Sequence, residues 1–147
     1  MTSNSRLKNR EVFQVDPTTT SIPNDGVAKV LEPTTKEQWN VLRYELTNFV
    51  CEGEYRDGLE RILATYLTNL SKLEQPAVWV SGFYGSGKSH FVRVLEYLWR
   101  DVTFPDGATA RSLPTLPKEI HDQLKELSTA GKRNGGLWSA AGKLSAG

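Results

Sequence analysis

The residues Gly82-Phe83-Tyr84-Gly85-Ser86-Gly87-Lys88-Ser89 hold the densest chemistry in this chain. They fit the G-x-x-x-x-G-K-[ST] phosphate-binding loop. A polyphosphate is a concentrated anion, and main-chain N–H groups can hold it without ordering long side chains. Glycines at 82, 85 and 87 let the backbone curl so that successive N–H groups face inward. Lys88 supplies a point charge for the β- and γ-phosphates, and the Ser89 hydroxyl supplies a ligand for Mg²⁺. ATP and Mg²⁺ are therefore the expected cofactors. Phe83, Tyr84 and Ser86 fill the variable positions. For Phe83 and Tyr84 two roles stand open: packing near the base or ribose, and covering the end of the preceding element. At average residue frequencies the fixed positions match by chance in fewer than about one chain of this length in a hundred.

Such a loop works when a strand precedes it and a helix follows. Ala77-Val78-Trp79-Val80-Ser81 reads as a short buried strand, and Phe91, Val94, Leu95 and Leu98 recur at helical spacing behind the loop. The expected fold is α/β: a partial P-loop NTPase domain in which a helical N-terminal segment leads into strand–P-loop–helix.

The chain has 147 residues, enough for one domain. Lys+Arg number 18 against Asp+Glu 17, so no strong field steers this segment toward nucleic acid or anionic lipid. The single cysteine, Cys51, excludes a disulfide framework and a thiolate metal site, and is read as a buried structural residue. Residues 1–10 lack the apolar stretch of a secretory signal, and no apolar run reaches membrane-spanning length. A cytoplasmic setting without membrane contact is expected.

Three stretches follow from the pattern. Residues 1–33 form an N-terminal arm, partly disordered, with brief strands at 12–15 and 27–30 and a turn at Asn24-Asp25-Gly26. Residues 34–101 hold two helices and the strand–loop–helix core. Residues 102–147 form a proline-bearing connection, a helix and a Gly/Ala/Ser-rich tail. The first helix begins at Thr34 or Thr35, with Gln38 placed for a capping box, shows Trp39, Leu42, Leu46, Phe49 and Val50 on one side, and ends near 51–53. The second runs over 54–73, with Tyr55, Leu59, Ile62, Leu63, Tyr66, Leu67 and Leu70 inward, until Gln75-Pro76 stops it. The loop helix covers 88–100, with Arg93, Glu96 and Arg100 on its wetter side. A last helix over 117–129 buries Ile120, Leu124 and Leu127. His90 and His121 read as packing or surface histidines.

Hydrolysis asks for more than a seat: an acidic residue near Mg²⁺, a group that orients water, and commonly an arginine. No apolar run ending in Asp or Glu follows Ser89. The chain thus reads as the front of an ATPase with the catalytic half of its sheet absent, and no catalytic residue is assigned.

Three runs stand out together: Phe49-Val50-Cys51-Glu52-Gly53-Glu54-Tyr55, Gly58-Leu59-Glu60-Arg61-Ile62-Leu63, and Val78 through Phe91 across the loop. With Ile22 to Val30 and Gly135 to Gly142, they resemble the N-terminal region of the large P-loop ATPases of bacterial phage defence. These are the phage growth limitation and bacteriophage exclusion (BREX) proteins PglY and BrxC, and the similarity favours the PglY side. The resemblance covers the chain from about Val12 onward. It implies an AAA+-like ATPase that acts with a methyltransferase and other defence proteins on phage DNA. Only Gly82, Gly85, Gly87, Lys88 and Ser89 carry over. Walker B, sensor and arginine-finger positions have no counterpart in this sequence. DNA contact belongs to the parent complex in this reading and is not indicated for the segment itself. By loose analogy with AAA+ linkers, the stretch around 22–30 is a candidate for adenine recognition.

Two alternatives remain. One is another P-loop ATPase, or a kinase of small molecules; a kinase needs lid arginines after the loop helix, and residues 103–117 hold only Arg111. The other is a non-catalytic interaction fragment whose helices dock on partner subunits.

Overall fold

The computed structural model describes Asp16, Thr18, Thr19 and residues 32–142. The expectations for 12–15, 24–26, 27–30 and the 22–30 adenine segment lie outside the described residues. Four α-helices dominate: α1 (Lys36–Thr47), α2 (Gly53–Asn69), α3 (Lys88–Arg100) and α4 (Lys118–Arg133), with a 3-10 turn at Ala110–Ser112. The helix α2 packs on α4, and α3 packs on α1, on α4 and on the 3-10 turn.

Each helix begins and ends for a local reason. At α1 the Thr35 hydroxyl accepts the Gln38 N–H at 3.3 Å, while Gln38 Oε1 accepts the Thr35 N–H at 3.1 Å. This is the expected capping box, which satisfies two amides that the helix cannot. The first helix stops earlier than expected, at Thr47, where both the backbone N–H and the side-chain amide of Asn48 donate to the Tyr44 carbonyl. The second stops at Asn69 rather than 73. Gln75 Nε2 donates to the carbonyls of Asn69 (2.6 Å) and Lys72 (3.0 Å), so a side chain beyond the helix closes its end. The α4 helix runs four residues past the expected 129, through Gly131, against which Leu137 folds so closely that a Cβ there would lie 2.6 Å from Leu137 Cγ.

One core joins the helices. Leu42, Leu46, Leu59, Leu63, Leu98, Ile120 and Leu127 are fully buried, as the apolar spacing of all four helices requires. Each such side chain contributes about 1.5–3 kcal/mol relative to exposure. Cys51 is buried too, and burial pushes its thiol up from the ordinary value.

The α/β expectation fails. No strand or sheet occurs among the described residues, apart from a lone antiparallel bridge between Thr103 and Thr109. The run Ala77–Val78–Trp79–Val80–Ser81, read as a buried strand, is irregular and largely exposed, with Val78 at 54% and Trp79 at 90%. The physical reason is that a strand is a property of a pair. Its N–H and C=O groups need a ladder partner, and no backbone hydrogen bond joins 76–81 to another segment among the described residues. A short apolar run satisfies the composition of a strand without supplying that partner.

Arg93 also departs from expectation. Instead of facing water it is only 5% exposed, and its Nε lies 2.9 Å from Glu45 Oε2, an ion pair between α3 and α1. One turn apart on α3, Glu96 and Arg100 pair at 3.6 Å, and Arg100 also meets Glu32. Among the described residues no helix is long and apolar enough to cross a membrane.

Candidate phosphate-binding loop

The loop joins the irregular 76–81 segment to the first turn of α3. Its helix half is as expected and its strand half is absent, which corrects the strand–loop–helix frame. Gly85 and Gly87 both take φ 77°, the left-handed region that favours glycine. Gly87 is the N-cap of α3, and its carbonyl accepts the Phe91 N–H at 2.8 Å. The first amides of α3 have no intrahelical acceptor, so the positive end of the helix faces the loop.

Lys88 crosses the loop rather than leaving it. Its Nζ donates to the carbonyls of Gly82 (2.9 Å) and Phe83 (2.6 Å) and lies 3.5 Å from Ser86 Oγ. The Ser86 N–H donates to the Phe83 carbonyl at 3.2 Å, which tightens the turn. Gly82, Phe83, Ser86 and Lys88 are thereby drawn into one ring. Ser89 stands exposed on the first turn of α3. Phe83 is 90% exposed and Tyr84 fully so, and neither covers a preceding element.

One contributor escaped the sequence reading. Tyr55, on the first turn of α2, donates its hydroxyl proton to the Ser86 carbonyl at 2.6 Å. A Cβ at Gly87 would lie 2.4 Å from that hydroxyl oxygen, so position 87 is glycine for two reasons. Tyr55 sits on the apolar side of α2, and a stripe residue 31 positions before its partner carries no signal of the contact. Beside the loop opens a cleft of about 710 Å³, between Tyr55, Ile62 and Thr65 of α2 and the 76–83 segment; Ser86 and Lys88 also line it.

The histidine next to the loop is a packing residue, as expected. His90 tilts against Phe49 with ring centroids 5.9 Å apart. Burial, and then the Arg93 charge, hold its imidazole below the ordinary value of 6.5. His121 is exposed. Arg111 is no lid arginine. Its guanidinium donates to the carbonyls of Leu98 (2.6 Å), Trp99 (2.9 Å) and Leu124 (2.8 Å) and to Ser128 Oγ, tying the end of α3 to α4.

The donor set fits a polyphosphate: one ammonium, the free amides of a helix start, and a backbone bent by two left-handed glycines. It holds little for a cation. Among the described residues no group of three His, Cys, Asp or Glu side chains is placed to bind a metal ion. No protein-family model matches the chain, and no solved structure matches it.

Proposed function

We propose that residues 82–89 bind the polyphosphate of Mg-ATP, as the nucleotide-binding element of a bacterial phage-resistance ATPase. The observation that carries the phosphate reading is the Lys88 ammonium, held at 2.9 and 2.6 Å from two loop carbonyls at the start of α3. Phosphate oxygens are stronger acceptors than those carbonyls, and a bound nucleotide takes the ammonium over from them. The α3 amides add neutral donors to the same anion. Mg²⁺ comes with the nucleotide, its shell made of phosphate oxygens, water and the Ser89 hydroxyl.

The phage-defence part of the reading rests on the sequence resemblance. From it, ATP, a methyltransferase and other defence proteins are the expected partners, and hydrolysis is expected of the family's long ATPases. Calorimetric titration with Mg-ATP tests the seat. Wild type is expected to bind weakly, and Lys88→Ala to show no saturable heat while its circular dichroism is unchanged. Equal affinities for the two proteins would remove the claim. Turnover by the 147-residue chain is expected at background; Lys88-dependent hydrolysis would contradict that part.

A second reading, a non-catalytic interaction module, is favoured by one observation. Val78, Trp79, Phe83 and Tyr84 leave apolar surface open along a single stretch. The stripes of α1 and α2 speak against docking through those helices, because Leu42, Leu46, Leu59 and Leu63 are buried within the chain itself.

A further inference from the structure

Within the phosphate loop, the peptide between Ser86 and Gly87 has no reason of its own to adopt one orientation. Gly87 accepts either sign of φ, so a flip of that plane costs little locally. In a trans peptide the C=O and N–H point in opposite directions. Whatever holds the Ser86 carbonyl therefore aims the Gly87 N–H. The holder is Tyr55, whose hydroxyl lies 2.6 Å from that carbonyl. Tyr55 is itself fixed by rings on either side: Phe49 at 6.0 Å and Phe91 at 5.9 Å between centroids. Phe91 belongs to α3 and Tyr55 to α2, so the tyrosine ties the loop to two helices at once.

We infer that Tyr55 is a positioning residue for polyphosphate: by anchoring the Ser86 carbonyl on the α2 side it turns the Gly87 N–H toward the anion. The inference rests on the phosphate-binding reading above and deepens it. The hydroxyl does not touch the ligand. It acts on one amide, and that amide joins the free donors of the α3 start. The crowding at Gly87 belongs to the same arrangement, since the tyrosine occupies the place a side chain at 87 would need.

The test uses the full chain with inorganic tripolyphosphate and Mg²⁺ as the probe, on wild type, Tyr55→Phe and Phe49→Leu. Tyr55→Phe keeps the ring and removes one hydrogen bond, so a loss of roughly three- to tenfold in affinity is expected. The Gly87 amide resonance should shift and exchange faster in the unliganded variant. Phe49→Leu disturbs the packing around the tyrosine but keeps its hydroxyl; it should lower the melting temperature and retain most of the affinity. Wild-type binding that Tyr55→Phe leaves unchanged overturns the inference while the phosphate seat stands. An equal affinity loss in Phe49→Leu with the Gly87 amide resonance unshifted also overturns it, because the effect is then one of packing and not of that amide. No binding of tripolyphosphate by wild type overturns the phosphate reading, and this inference with it.

Discussion

Two apolar stretches of this chain meet opposite fates. In α2 and α4, Leu59, Leu63, Ile120, Leu124 and Leu127 are almost completely removed from water. Between Pro76 and Tyr84, Val78, Trp79, Phe83 and Tyr84 stay largely in it. Composition does not separate the two stretches. Helical residues three and four apart share a face, and each helix here has another to face. Residues 76–81 have no backbone hydrogen-bonding partner among the described residues, and no layer covers Val78, Trp79, Phe83 or Tyr84. A helix satisfies its own backbone, whereas a strand borrows satisfaction from a neighbour. The loop stands at the seam, held by α3 on one side and by the Tyr55 hydroxyl on the other.

The sharpest way to break this contrast is a pair of truncations. Leu63→Ala should destabilise the chain by about 2–5 kcal/mol, while Trp79→Ala should change stability by less than about 0.5 kcal/mol. Urea denaturation of both variants measures it. A large loss for Trp79→Ala would mean that the tryptophan is packed in solution and that the contrast is false. Next in size is Arg111→Ala. It strips three carbonyls and a hydroxyl of a charged donor between α3 and α4, and should cost about 1.5–3 kcal/mol in the same experiment. An unchanged midpoint would show that water replaces the guanidinium, and that α3 and α4 hold together by apolar contact alone.

The smallest effect is a pH dependence at the seam. The folded-state pKa of His90 lies below its ordinary 6.5. The unfolded chain therefore takes up a proton near 6.5 while the folded chain still excludes it, so stability is full above that pH and falls as the solution is acidified toward the folded value. Melting temperatures of wild type and His90→Gln between about pH 7.5 and 5.5 should diverge, the variant losing less. Parallel profiles would show that the imidazole is as free in the folded chain as in the unfolded one.

Much of the helical frame was legible beforehand. Apolar spacing located α3 at the positions observed, Lys88–Arg100, and Thr35 with Gln38 announced the start of α1. Ile120, Leu124 and Leu127 fall inside as their spacing required. The unread parts share a cause. Arg93 looked like a surface residue because its partner, Glu45, lies on another helix. Arg111 looked like an isolated cation in a loop, since its acceptors are backbone carbonyls that carry no residue signature. The apolar ring of Tyr55 reads as core, and only its hydroxyl reaches the loop.

By itself, the sequence determined where helices start, which faces they bury, and which eight residues fit the phosphate-loop pattern. Those properties depend on neighbours within about four positions along the chain. Tertiary structure alone decided that 77–81 is not a strand, that Arg93 and Arg111 are structural, and that a tyrosine from α2 steadies the loop. Each of these depends on groups brought together from distant positions, and pairing at a distance is set by how the helices pack.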